Sequence, residues 1–139
     1  MTVLVYNASA EAGANAIANK ADDGAGAGSI EIRSGTRPAV NGALTGTLLV
    51  DIVLGDPAFG VAAGNGVRAL KTANGLPIVI ANAAATGTAG YGALVDSNGV
   101  VILTGTVGVG TGDFQLQSLS ITINQEVTLT AFTFELPQA

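Results

Sequence analysis

The chain contains no cysteine, no histidine and no tryptophan. Without histidine or cysteine, a Ser–His–Asp triad, a thiolate nucleophile and a histidine- or thiolate-ligated metal site are excluded. Only 11% of its 139 residues are charged, well below the usual quarter, whereas 48% are hydrophobic. The composition therefore predicts one folded domain with a small aliphatic core. We expect no enzymatic activity, no cofactor, no metal and no small-molecule substrate.

Basic residues are also scarce. Lysine and arginine together number 5, against 10 acidic residues, which gives a net charge of −5. Such a chain lacks the cationic patch that neutralises phosphates, so we expect it to bind neither nucleic acid nor anionic membranes. No apolar run approaches the roughly 18 residues of a membrane span, and Met1–Tyr6 lacks the features of a signal peptide. We therefore expect synthesis in a cytoplasm.

Short alternating apolar segments separated by turn signals make up most of the chain. Ser29–Arg33 alternates as a half-buried strand does, and Leu48–Leu54 is an apolar run interrupted only by Asp51. Gly90–Val95 and Val100–Val107 flank a hairpin turn at Asp96–Gly99. We predict a mainly β fold, an antiparallel β-sandwich of jelly-roll type with one short N-terminal helix.

Core positions follow from the same alternation. In Glu126–Glu135 the apolar positions change parity, which predicts a bulge near Ala131-Phe132. Phe59, in the turn Asp56–Gly60, is predicted to plug one end of the sandwich. The remaining residues predicted to be buried are Ile30, Ile32, Leu48, Val50, Ile52, Leu119, Ile121, Val127 and Leu129.

The N-terminal segment has a different pattern. Thr2–Tyr6 is typical of a strand, and Ala8–Asp22 carries a narrow alanine stripe at helical spacing. We predict that residues 1–23 contact neighbouring subunits and that residues 24–139 form the β domain. The alternative is that both elements close the end of their own domain. The predicted interface residues are Val3, Leu4, Val5, Tyr6, Ile17 and Tyr91.

Several motifs have a functional and a structural interpretation. Asp51 is either a buried acid or the outward position of an edge strand, and we favour the edge strand. Tyr91, between two glycines, is either an exposed anchor or a space-filling side chain. Gly24–Ser29 lacks the strand–loop–helix order of a phosphate-binding loop and is interpreted as a linker. Asp96–Gly99 fits a hairpin turn better than a calcium loop.

Five stretches, in this order, resemble a family of small structural proteins from tailed-bacteriophage virions. They are Gly26–Ala39 (GAGSIEIRSGTRPA), Gly46–Gly60 (GTLLVDIVLGDPAFG), Ala85–Tyr91 (ATGTAGY), Asp96–Gly105 (DSNGVVILTG) and Thr130–Pro137 (TAFTFELP). The stretch Asp56–Gly60 is the most specific of them. The segments Met1–Tyr6 and Gly60–Leu76 depart from the family pattern.

The resemblance implies a capsid decoration or cement protein on the exterior of a phage head. Its expected partners are the major capsid protein and two further copies of itself in a homotrimer. The alternatives are a head–tail connector, a tail or fibre component, or a carbohydrate-binding β-sandwich. No catalytic residues are implied by the resemblance.

Overall fold

A computed structural model of the protein describes residues 5–60, 63–64 and 68–137. One α-helix, α1 (Asn7–Asn19), is followed by a 3-10 turn over Lys20–Asp22, so the predicted helix over Ala8–Asp22 is confirmed. The strands are β1 (Ser29–Arg33), β2 (Leu48–Val53), β3 (Ala63–Gly64), β4 (Arg68–Thr72), β5 (Ile78–Ile80), β6 (Gly87–Thr88), β7 (Tyr91–Val95), β8 (Val101–Gly105), β9 (Val107–Gly108), β10 (Phe114–Leu116), β11 (Ser120–Ile121) and β12 (Val127–Pro137).

Two larger sheets and one small ribbon contain these strands. The first sheet has the order β2-β1-β7-β8 and is antiparallel throughout. The second has the order β3-β4-β12-β10-β9, with β5 also pairing with β12. Only the β9–β10 pair of this second sheet is parallel. The ribbon is the pair β6–β11. The mainly β class and the single short N-terminal helix are thus confirmed. No helix among the described residues is long and apolar enough to cross a membrane.

The two larger sheets share one hydrophobic core. The first sheet contributes its alternating side chains, such as Ile30, which lies between Ile52 and Leu94 in the register. The second contributes Phe114, whose ring stacks on Phe132 with the ring centroids 4.3 Å apart. The other members common to this core include Ile32, Leu49, Val50, Leu116, Val127 and Leu129. A small aliphatic core with few rings is what the composition predicts.

Two glycines bring the sheets into close contact. Gly92 of β7 and Gly105 of β8 are cross-strand partners. A methyl group on Gly92 would lie 2.6 Å from the Phe114 ring, and one on Gly105 would lie 2.9 Å from it. The Phe114 ring therefore occupies the space that two side chains would otherwise fill. This contact explains why these two strand positions are glycine.

The alanine stripe of α1 packs on the chain's own second sheet. Ala10, Ala14 and Ala18 are buried, and the helix contacts β4, β12 and β3. Ala10 and Ala14 pack against Phe134 of β12. Small side chains allow the helix axis to lie close to the strands, as the stripe predicts.

Two bulges explain where the burial pattern departs from simple alternation. In β2, Val50 pairs with Ile32 and Leu48 pairs with Arg33, so Leu49 is an extra residue and is fully buried. Leu48 is consequently only half-buried, and its predicted burial is wrong. Leu119, next to the short β11, is also only half-buried. The bulge predicted near Ala131-Phe132 is confirmed and lies one residue earlier. Leu129 and Ala131 pair with consecutive residues of β10, so Thr130 between them has no partner there.

Candidate interaction surface

The loop of residues 34–47 covers the outer face of the first sheet, and Tyr91 holds it there. The Tyr91 ring is completely buried, and its hydroxyl donates to the Thr45 carbonyl oxygen at 2.7 Å. The same hydroxyl accepts a hydrogen bond from the Thr45 backbone N–H at 2.9 Å. Tyr91 is therefore a space-filling side chain with satisfied polar groups. Its predicted interface role is wrong, because no part of the ring is accessible to a partner.

The other predicted interface residues lie at and after the start of α1. Val3 and Leu4 lie outside the described residues. Val5 is 38% exposed and Tyr6 is 81% exposed. Ile17 is half-buried and lines a groove described below. That this segment contacts another subunit remains a prediction, although its alanine stripe already packs on its own chain.

The first sheet ends in two edge strands of different character. At the β2 edge, the Leu49 carbonyl oxygen accepts hydrogen bonds from Ala84 N–H at 2.7 Å and Ala85 N–H at 3.4 Å. Asp51 projects outward from this strand and is exposed, as predicted. A partly paired edge that carries a charge resists association with other strands. The β2 edge is therefore protected.

The β8 edge lacks both forms of protection. Among the described residues, no strand pairs with the side of β8 that faces away from β7. Its five residues are Val, Ile, Leu, Thr and Gly, without a charge or a proline. Val101 is 40% exposed, and the preceding Val100 is 58% exposed. The register with β7 skips Ile102, so β8 has one irregularity, and Leu103–Gly105 beyond it pair regularly. An uncharged edge with accessible apolar side chains is a template for an added strand.

A groove flanks β8 on each side. One has a volume of about 810 Å³ and lies between β8, the second half of β12 and Ile17. The other has a volume of about 840 Å³ and lies between β8 and Arg37–Ala43 of the covering loop. Because both grooves include Ile102, Leu103 and Thr104, the middle of β8 forms the ridge between them. We call β8 and these two grooves the β8 edge.

Charged groups at the β8 edge are few. Asp113 and Glu135 line the first groove, and Oδ2 of Asp113 already accepts hydrogen bonds from Thr106 N–H at 2.9 Å and from the Thr106 hydroxyl at 3.0 Å. Arg37 lines the second groove. Strand β8 itself has no charged side chain, so it suits a partner strand with apolar side chains. The sequence predicts β8 as a strand of a hairpin, but it does not show that one side of this strand is unpaired. The one hint in the sequence is that Val100–Gly105 contains no charged residue.

The motifs with alternative interpretations have structural roles. Asp96 is 8% exposed, and its Oδ1 accepts hydrogen bonds from Asn98 N–H and Val100 N–H, each at 2.9 Å. Asp96–Gly99 is thus the predicted hairpin turn. Ser97 links this turn to the linker, since its hydroxyl donates to the Asp23 carbonyl oxygen at 3.0 Å. Within the described part of the chain, no group of three or more potential ligand side chains could hold a metal ion.

A scan of protein-family models matches none of them to this chain, and searches of curated proteins and of solved structures give no match either. The surface geometry and the sequence resemblance therefore carry the functional proposal.

Proposed function

We propose that the protein is a virion structural protein that decorates the exterior of a phage capsid as a homotrimer bound to the major capsid protein. The observation that carries this proposal is strand β8, an open and uncharged sheet edge with a groove on each side. A protein that assembles on a shell needs a surface that recognises a neighbouring chain without chemistry. Backbone hydrogen bonds at a sheet edge supply affinity, and the grooves beside it supply side-chain selection.

The N-terminal segment of a neighbouring subunit is the partner strand in this proposal. Thr2–Tyr6 is apolar and β-branched, and it matches the five-residue length of β8. Neither segment carries a charge, so their pairing places no charge in a desolvated interface. Each subunit then donates one segment and accepts another. Such a head-to-tail contact forms a ring when the rotation between successive subunits closes, and the proposed ring has three subunits.

The proposed body of each subunit is a β-sandwich of jelly-roll type. The shared core and the contact of Phe114 with the Gly92–Gly105 pair support stacking of the two larger sheets. A sandwich of this kind presents its edges sideways, which suits lateral contacts between subunits on a shell.

A carbohydrate-binding function has less support. Sugar-binding platforms use exposed rings, and all six aromatic side chains of this chain lie within the described residues. Only Tyr6 is exposed, Phe134 is half-buried, and the other four are buried. One exposed ring at the start of α1 does not form a platform.

The test places a lysine on each edge of the first sheet. Val101→Lys introduces a charge at the β8 edge, and Val53→Lys introduces the same charge at the protected β2 edge, where Val53 is 55% exposed. We expect both variants to keep the wild-type circular dichroism spectrum, since both positions are exposed. Val101→Lys should be monomeric by light scattering and should fail to co-sediment with phage capsids. Val53→Lys should assemble normally. Normal assembly of Val101→Lys would overturn the proposal.

A further inference from the structure

The chain contains four Asn-Gly pairs, at Asn41, Asn65, Asn74 and Asn98. Asn65 lies outside the described residues. In such pairs the backbone nitrogen of the glycine can attack the side-chain carbonyl carbon of the asparagine. Glycine permits this attack best because it has no Cβ to shield its nitrogen and because its backbone is mobile. In a folded protein, the rate of this reaction depends on whether the glycine N–H already donates a hydrogen bond.

The three described pairs differ in this respect. The Gly42 N–H donates to the Ala39 carbonyl oxygen at 2.8 Å, and the Gly99 N–H donates to the Asp96 carbonyl oxygen at 3.0 Å. The Gly75 N–H has no hydrogen-bond acceptor among the described residues. Gly75 is exposed, and no neighbouring atom lies within 4 Å of the position where its Cβ would be. Its backbone is therefore open to solvent.

We propose that Asn74 is a site of spontaneous deamidation. The Gly75 nitrogen forms a bond to Cγ of Asn74 and loses its proton, and the side-chain nitrogen leaves as ammonia. The product is a five-membered cyclic imide. Water then adds to one of the two imide carbonyls and opens the ring, which gives an aspartate or an isoaspartate. The overall reaction consumes one water and releases one ammonia, and no oxidant or cofactor takes part.

The position of Asn74 gives this modification a structural consequence. Its side-chain Nδ2 donates to the Pro57 carbonyl oxygen at 3.2 Å, and its backbone N–H donates to the Ala58 carbonyl oxygen at 2.9 Å. Deamidation replaces the donating NH₂ group with a carboxylate. The carboxylate cannot donate to the Pro57 carbonyl oxygen, and the two oxygen atoms repel each other. Because Pro57 and Ala58 precede the buried Phe59, the modification should loosen the turn that holds this ring.

The rate test uses the other two pairs as internal controls. The full-length protein is incubated at mildly alkaline pH, and deamidation at each asparagine is followed by peptide mapping with fragmentation. Asn74 should react about five-fold or more faster than Asn41 and Asn98, because the attacking nitrogen of each control must first lose its hydrogen bond. At Asn74 only the exposed side-chain hydrogen bond to Pro57, at 3.2 Å, must open, and the attacking nitrogen donates to no described residue. Equal rates, or faster reaction at Asn41 or Asn98, would overturn the assignment.

The consequence is tested with two variants of equal charge. Asn74→Asp mimics the product at the proposed site, and Asn41→Asp adds the same charge in the loop of residues 34–47, where Asn41 is exposed. We expect a lower melting temperature for Asn74→Asp and an unchanged one for Asn41→Asp. Equal melting temperatures for the two variants would show that the Asn74 amide does not hold the turn.

Discussion

Phe59 shows how one side chain connects three parts of the molecule. It is 6% exposed, and its ring lies edge-on to Phe132 at 5.7 Å and to Phe134 at 5.6 Å between centroids. Its turn is anchored to the helical segment, because Ala58 N–H donates to Asp22 Oδ1 at 2.9 Å. The burial predicted for this aromatic residue is therefore confirmed, and its partners are the rings of β12.

Replacement of Phe59 by alanine should remove these ring contacts and leave a cavity. We expect a loss of about 3–5 kcal/mol in the free energy of unfolding, measured by urea denaturation. Tyr6→Ala is the control, since the Tyr6 ring is 81% exposed and should contribute little. If Phe59→Ala unfolds like the wild type yet assembles poorly, Phe59 is an interface anchor and not a core residue.

Gly92 provides the opposite test, in which atoms are added to the core. In Gly92→Ala the new methyl group would meet the Phe114 ring at 2.6 Å, so the two sheets must separate or the ring must move. We expect a loss of about 1–3 kcal/mol in unfolding free energy. Gly26→Ala is a matched control, because its nearest neighbour would lie at 4.0 Å. A Gly92→Ala variant as stable as Gly26→Ala would contradict the close contact between the sheets.

At the scale of elements, the N-terminal segment divides into two parts with different roles. The helix is part of the fold, since Ala14, Ala18 and Ala21 are completely or almost completely buried. The residues before it contribute less, because Val5 and Tyr6 are exposed. Only the Tyr6 carbonyl oxygen is needed for the first helical turn, where it accepts from Ala10 N–H at 3.0 Å.

Deletion of Thr2–Val5 should therefore separate assembly from folding. We expect the shortened protein to keep the wild-type helix signal in circular dichroism and a cooperative thermal transition, because Tyr6 and α1 are retained. It should be monomeric and should not bind capsids, because the donated strand is gone. A longer deletion of Met1–Asp22 is the control, and it should unfold because it removes the buried alanines. A trimeric protein lacking Thr2–Val5 would rule out strand donation.

The elements that sequence predicts best are those whose pattern is local. Ser29–Arg33 alternates because one face is buried, and the hairpin after Val95 follows from a turn that needs a glycine with positive φ, observed at +80° for Gly99. Leu48 was predicted incorrectly, because a bulge depends on the partner strand. Tyr91 could be interpreted either way, because the loop that covers it lies more than 40 residues earlier in the chain.

At the scale of the whole molecule, fold class follows from composition and turn frequency, whereas the interaction surface does not. Aliphatic residues, glycines and few charges predict a mainly β domain with one core. The β8 edge becomes visible only when the strand order is known, because any strand of Val, Ile and Leu could be central. Its freedom from charge is readable in the sequence, but its position at an edge is a property of topology.

The net charge of −5 leads to a prediction about how salt affects assembly. Subunits of like charge repel one another, and that repulsion is screened as the Debye length falls from about 10 Å at 0.1 M salt to about 3 Å at 1 M. If the trimer is held by pairing of β8 with the N-terminal strand, neither of which has a charged side chain, no attraction between opposite charges is lost on screening. We therefore expect the trimer dissociation constant, measured by analytical ultracentrifugation, to stay constant or fall as salt rises. Val101→Lys should stay monomeric throughout this range, because its lysine blocks the edge irrespective of long-range charge. A trimer that weakens steeply with added salt would instead indicate that ion pairs hold it, and Arg37 beside the second groove would be the first residue to replace.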